Sequence, residues 1–263
     1  PVHVLLRLTN GNQFGMDESI IRRIISERNS YSFIIIEGIQ YFSGTQKKSS
    51  NKYEKELTML DNLLADFKKL YDFTANKLEY GPGLPICYFE EDENIEDSML
   101  NELSEQIKNL NFNGKITLEI GRFIAAYCGY YITSVVDIKI NKNQSYGIVD
   151  GGINHINYFG QMMAMKKPPL IHLEEKCGEA KEWTVCGSLC TANDVLVKQY
   201  PFVDLHLGDI LVFKKTGAYS VTEGISLFLS RELPQVILFS KKDNFRLARN
   251  NFQTDILNYF QNK

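Results

Sequence analysis

From Val2 to about Glu119, short β-rich runs alternate with amphipathic stretches. Val4 to Leu8 reads as a strand, and Asp17 is placed to cap a helix with Ile20, Ile21, Ile24 and Ile25 on one face. Phe33-Ile34-Ile35-Ile36 is a continuous apolar run of the kind buried on both sides of a sheet. Leu60, Leu63, Leu64, Phe67 and Tyr71 are spaced for one face of a second helix, and Met99 or Leu100 with Leu103, Ile107 and Leu110 for a third. The turn Gly81-Pro82-Gly83 lies between those helices, and the strand Lys115-Ile116-Thr117-Leu118-Glu119 follows them. A β-α-β-α-β-α-β order predicts parallel strands joined by right-handed crossovers.

Beyond Arg122 the pattern changes. Tyr131 to Lys139, Tyr146 to Val149, Glu182 to Cys186, Asp209 to Phe213 and Gln235 to Phe239 are strand-like runs with turn signals and no long helix between them. They predict an antiparallel β domain, a barrel or sandwich, and Phe252, Ile256, Leu257 and Phe260 predict a closing helix. The boundary falls near 122 to 135, giving a parallel α/β region over 1–125 and an all-β region over 126–263. Four parallel strands alone raise a difficulty, because such a sheet needs both faces covered and its edges closed or protected. The chain opens on Pro1 and enters a strand at once, so it reads as a piece: either a flat four-stranded α/β sheet forms alone, or the missing strands come from upstream or from another chain.

Composition narrows the classes of function. At 263 residues, 44% hydrophobic and 23% charged, the chain is ordinary globular protein with room for one large domain or two. Its net charge of -3 and lack of long basic runs leave no nucleic-acid groove. Phe123 to Val136, the longest nearly uncharged stretch, is too short to cross a bilayer. Five cysteines are an odd count in a chain too large to need a disulfide framework, which points to free thiols and a reducing, cytoplasmic setting.

Ligands of parallel sheets bind at the carboxyl ends of the strands. Those ends offer Phe42-Ser43-Gly44-Thr45-Gln46, the turn Gly81-Pro82-Gly83, and Glu119-Ile120-Gly121-Arg122. A phosphate suits turn N–H groups beside Arg122, although a carboxylate and a guanidinium so close in sequence are also a common structural pair. His172, Cys177, Cys186 and Cys190 contain no Cys-x-x-Cys knuckle, so no metal centre is expected. Asp150 reads as a turn cap, and His155 as a surface or hydrogen-bonded histidine.

Taken in order, the motifs resemble the alanine-racemase-like family of pyridoxal-phosphate decarboxylases, which includes diaminopimelate and ornithine decarboxylases. Phe42-Ser43-Gly44-Thr45-Gln46 resembles the family's His-x-Gly-Ser loop, Gly81-Pro82-Gly83-Leu84 its Gly-Gly-Gly-Phe loop, and Glu119-Ile120-Gly121-Arg122 its Glu-Pro-Gly-Arg motif. Val149-Asp150-Gly151-Gly152-Ile153, Gly187-Ser188-Leu189-Cys190-Thr191-Ala192-Asn193-Asp194, and Gly208-Asp209 with Thr216-Gly217-Ala218-Tyr219 resemble later motifs. The resemblance implies that residues 1–125 are strands five to eight of a (β/α)8 barrel. It further implies that Glu119 pairs with the cofactor's pyridinium nitrogen, and that Phe42 stacks on its ring. Thr45, the amides near Gly81 and Gly83, Arg122 and Tyr219 would cradle the phosphate. Cys190 would return a proton across the interface of a homodimer whose sites are shared, while Thr191 and Asp194 would face the distal end of an amino acid substrate.

The departures are informative. Phe42 replaces a histidine and Pro82 a glycine, which removes one phosphate-facing N–H. Thr191 replaces an acidic residue that grips a distal ammonium, and with Gln13-Phe14-Gly15-Met16-Asp17-Glu18-Ser19 it resembles the branch acting on amino acids tethered to a carrier protein. The family's cofactor-binding lysine lies on the first barrel strand, in a Tyr-Ala-Val-Lys-Ala-Asn-like motif that this sequence lacks. Two functions follow: a decarboxylase completed by an amino-terminal half, or a catalytically inactive relative that binds and regulates decarboxylase subunits.

Overall fold

Strands β1 (Val2–Leu8), β2 (Ile34–Phe42), β3 (Lys77–Gly81) and β4 (Lys115–Leu118) form a four-stranded sheet in sequence order, every neighbouring pair parallel. Helices α1 (Glu18–Ser26), α2 (Asn51–Tyr71) and α3 (Glu96–Lys108) are the crossovers, and Asp17 is the extended N-cap residue of α1. The computed structural model describes residues 1–174 and 177–259. Its first unit comprises Pro1–Cys87 and Glu93–Phe123, its second Tyr88–Asp92 and Ile124–Lys263. Tyr88–Asp92, which the sequence assigns to the α/β region, therefore groups with the β unit.

Alternation along the strands gives the first sheet two unlike faces. Leu6, Leu8, Ile39, Tyr41, Leu78 and Tyr80 pack against Ile21, Ile25, Leu57, Leu60, Leu64, Phe67 and Leu103 in one core, each large side chain contributing roughly 2 kcal/mol of apolar burial. The opposite face is polar. There Glu37 pairs with His3 (Nδ1 to Oε1, 2.8 Å) and with Lys77, and the hydrogen bond from Lys77, then that from His3, holds the Glu37 carboxyl below its ordinary range. Phe33-Ile34-Ile35-Ile36 is not buried on both sides as its composition suggests: Phe33 is 78% exposed, and Ile34 and Ile35 are exposed as well. Only Ile36 of this run packs against the core, because the helices cover a single face of the sheet.

Behind the loop that follows β2, an ion pair is sealed into the helix side. Lys47, 4% exposed, bonds Glu56 Oε2 at 2.6 Å, and the same oxygen accepts from Tyr80 at 2.6 Å. Ser43 donates to Glu56 Oε1 at 2.5 Å, and the ammonium lies 5.6 Å from the ring centroids of both Tyr53 and Tyr80. Burial lowers the Lys47 pKa against the opposing pull of Glu56. The network ties the Ser43–Lys47 loop to α2.

In the second unit, β5 (Tyr130–Asn141), β6 (Gln144–Val149), β7 (Leu170–His172), β8 (Lys181–Cys186), β9 (Val195–Phe202) and β10 (Ile210–Lys214) form a six-stranded sheet in the order β7-β10-β5-β6-β8-β9. It is antiparallel except for the parallel β6–β8 pair, a departure from the all-antiparallel expectation. Val135, Val149, Val185, Val197, Leu211 and Phe213 are among its buried residues. A separate hairpin joins β11 (Val236–Ser240) and β12 (Asn244–Arg249). The expected closing helix is reduced, among the described residues, to a 3-10 turn at Asp255–Leu257, and Phe260 lies outside them. Phe252 instead exchanges backbone bonds with Leu233, and Leu257 is exposed, so this stretch has no packed face to offset helix nucleation. No helix among the described residues is long and apolar enough to cross a membrane.

Removing Glu56 as Glu56→Ala leaves Lys47 buried without its counter-charge. In urea denaturation we expect a loss of about 3 kcal/mol, with most of it recovered when Lys47→Met is added.

Candidate active site

The first unit gathers its chemistry where β2, β3 and β4 end. Phe42 closes β2 and pairs in register with Gly81, which closes β3. Glu119 follows β4 directly, its N–H donating to Tyr80 O at 2.9 Å. A side chain at 81 would run into the Phe42 ring, and its Cβ would lie 3.3 Å from Glu119 Oε2. The bare glycine therefore lets an aromatic ring and a carboxylate approach each other across β3. Gly83 sits at φ +64, in the left-handed region, where an added Cβ would strike Gly44 O and lie 3.1 Å from Thr45 Cα. Lys47 N–H also donates to Gly83 O at 3.0 Å. Thus Phe42, Thr45, Gly81, Gly83 and Glu119 converge, and Arg122 follows on the short helix α4 (Gly121–Ala125), half-buried.

Two further residues on this face escaped the sequence reading. Gln40 Nε2 donates to Glu119 Oε1 at 3.0 Å, while Gln40 Oε1 is buried with no hydrogen-bond partner among the described residues. Glu79 pairs in register with Gln40 on one side and Thr117 on the other. Its hydrogen bond with Glu119, then burial and the negative charge of Glu119, raise its pKa above the ordinary glutamate value. Each lies two residues before a glycine or aromatic landmark, and spacing along the chain carries no sign of contacts made across strands.

The second unit presents the loop from Gly187 to Asp194. Cys190 is exposed at its tip and Thr191 is half-buried, its hydroxyl accepting from Asn193 N–H at 3.3 Å. Asp194 corrects the expectation of a substrate contact. It is 2% exposed, and its carboxylate accepts from the N–H groups of Ile153 and Leu189, each at 2.8 Å. Gly152 and Gly187 press so closely on that carboxylate that a Cβ at either would collide with it. Asp194 therefore holds the Cys190 loop to the Gly151-Gly152-Ile153 turn. Arg231, unremarked in the sequence, grips the same loop through Ser188 Oγ at 2.7 Å and Ser188 O at 3.3 Å.

Other polar residues of this unit are committed to the fold. Asp150 accepts from Thr133 and from Ser134 N–H at 3.1 Å. His155 bonds the Tyr131 hydroxyl at 2.9 Å and Glu232 O at 2.8 Å, and burial lowers its pKa, favouring the neutral ring. Tyr219 is exposed in left-handed backbone at φ +63. His172, Glu174 and Asp209 bring three ligating atoms within 4.8 Å of one another. His172 Nε2 bonds Asp209 at 2.9 Å, and backbone N–H groups of His206 and Ile210 bond Asp209 and Glu174. A cleft of about 750 Å³ is lined by Thr191, Cys186, Tyr146, Lys139 and Lys198.

The chain is 26% identical over 248 residues to the L-glutamyl-[BtrI acyl-carrier protein] decarboxylase of Niallia circulans, covering 90% of this chain and 58% of that protein. It is 26% identical over 245 residues to the diaminopimelate decarboxylase of Campylobacter jejuni, covering 90% and 59%. The chain thus spans about three fifths of the length of these relatives. The crystal structure of diaminopimelate decarboxylase (I148L mutant) from Helicobacter pylori complexed with L-lysine superposes with a TM-score of 0.80 at 20% identity, over 97% of this chain and 66% of that one. The Methanocaldococcus jannaschii enzyme in complex with L-lysine gives a TM-score of 0.78 at 22% identity, over 94% and 57%. The family model described as the pyridoxal-dependent decarboxylase, C-terminal sheet domain, matches residues 25–217, so the chain belongs to the pyridoxal-dependent decarboxylases.

Proposed function

We propose that the chain is the carboxyl-terminal part of a pyridoxal-phosphate-dependent amino acid decarboxylase, its parallel sheet supplying strands five to eight of a (β/α)8 barrel. The observation that carries this reading is the meeting of Phe42, Gly81 and Glu119 on the helix-free face, at the carboxyl ends of the strands. The donor set suits the cofactor: the bare Gly81 lets the Phe42 ring and the Glu119 carboxylate close on one another where a Cβ would collide, and the buried Gln40 Oε1 has no partner among the described residues on the same face. Pyridoxal phosphate, when bound, supplies the electron sink for the pair left as carbon dioxide departs.

The chain's own groups divide the remaining work. Glu119 holds a proton at the ring nitrogen, oriented by the Gln40 amide. Phe42 offers a flat apolar surface to the ring, without the hydrogen bond a histidine would make. Thr45, the Gly81–Gly83 turn and Arg122 bind the phosphate, with Pro82 contributing no N–H. Cys190, at the tip of a loop held by Asp194 and Arg231, carries the proton returned to the substrate carbon across a homodimer interface. Thr191 puts no negative charge at the distal end of the substrate, which suits an amino acid whose far end is neutral or tethered, as in the acyl-carrier-protein decarboxylase of Niallia circulans. The cofactor-binding lysine comes from a segment outside this sequence.

Pyridoxal phosphate is achiral, so circular dichroism induced within its absorption band reports a fixed chiral site. We expect an induced band on adding the cofactor to the chain and its loss in Glu119→Ala; equal bands from both chains, or none from either, contradict the reading. Asp194→Ala should unlatch the Cys190 loop, costing about 3 kcal/mol for two buried N–H groups left without their acceptor. Amide hydrogen exchange at Ile153 and Leu189 should accelerate together, and unchanged protection there would exclude the latch.

A further inference from the structure

Glu79 stands where a second negative charge can reach the ring nitrogen through Glu119. In the parallel pairing of β3 and β4, Tyr80 faces Leu118 and Glu79 faces Thr117, so Glu79 and Glu119 are diagonal neighbours on the helix-free face. A Cβ at Gly81 would lie 3.3 Å from Glu119 Oε2, so the glycine keeps β3 clear beside that carboxylate, and Gln40 donates to Glu119 Oε1 at 3.0 Å. Two carboxylates so close cannot both ionise cheaply; one keeps a proton and donates it to the other.

Resting on the cofactor reading above, we propose that Glu79 is a positioning residue holding a placeholder proton, which the ring-nitrogen cation of pyridoxal phosphate displaces on binding. Before binding, Glu79 is the protonated partner that steers the Glu119 carboxylate toward the site. A ring-nitrogen cation held at Glu119 would favour the ionised form of Glu79. The Glu79 O–H bond would then break and its proton pass to solvent, leaving two carboxylates to balance one cation. The raised pKa of Glu79 in the free chain agrees with this order of events. The sign follows by linkage: the free chain binds more protons than the loaded one, so cofactor affinity rises with pH through the titration of Glu79.

Other charges border the same face. Arg7 pairs in register with Gln40 on β1, His3 and Lys77 are engaged with Glu37, Lys115 pairs in register with Lys77, and Arg122 follows β4. All of them, and the cofactor's own titrations, are shared by the wild-type chain and Glu79→Gln, so the difference between the two chains isolates Glu79.

The test has two arms. Carbon-13 NMR of glutamate carboxyls in the free chain should show one group titrating above the ordinary glutamate range, absent from both Glu79→Gln and Glu119→Gln. Calorimetry with pyridoxal phosphate in buffers of different ionisation enthalpy should then show a proton released, approaching one per cofactor bound, by the wild-type chain and none by Glu79→Gln. The variant's affinity should also lose the rise with pH. Absence of the raised carboxyl overturns the proposal, and so does equal proton release by both chains that bind. If the raised carboxyl is present but neither chain binds the cofactor, the cofactor reading itself has failed and the displacement falls with it.

Discussion

Parallel strands joined by crossover helices ordinarily bury both faces, and the first unit of this protein covers only one. Its helices pack against Leu6, Ile39, Leu78 and their neighbours, while the other face carries His3, Glu37, Gln40, Lys77, Glu79 and Glu119. Charges on a sheet face survive only when paired, solvated or needed by a ligand. The Glu37 cluster is paired. The Gln40, Glu79 and Glu119 group holds two carboxylates and a single amide, and this imbalance lies at the carboxyl ends of the strands.

Support for that site comes from behind the sheet. The sealed Lys47–Glu56 pair gains specificity more than stability, because an ion pair removed from water returns little of its desolvation cost. What it fixes is the Ser43–Lys47 loop, through Ser43 Oγ and the Tyr80 hydroxyl on the same carboxylate. Tyr80 lies between Glu79 and Gly81 in β3, so a strand whose one side lines the core anchors, on its other side, the residues of the site. In the second unit Asp194 plays the corresponding part for the Cys190 loop, gathering two backbone N–H groups inside a pocket formed by two glycines.

Much of this was legible in the sequence because it is local. The helical spacing of Ile20 to Ile25 and of Leu60 to Tyr71, and the glycines at strand ends, predict elements and turns by rules that act over a few residues. Three strands were not legible. β7 is three residues long after Pro168-Pro169 and β9 is interrupted at Gln199 in left-handed backbone, while the alternation of Asn244-Phe245-Arg246-Leu247 in β12 buries neither face. Gln40 and Glu79 were invisible for a different reason: their meaning lies in a diagonal across parallel strands, set by register alone. The role of Asp194 was hidden because a motif shows which residue is present and not which way its carboxylate points.

In the proposed function, the convergence of Phe42, Gly81 and Glu119 is the seat for a flat, charged cofactor. A crystal structure of the chain soaked with pyridoxal phosphate tests this most directly. The ring is expected against Phe42 with its nitrogen at Glu119, and its phosphate at the Gly81–Gly83 turn beside Arg122. A ring bound elsewhere, or seated with its nitrogen turned away from Glu119, would contradict the account.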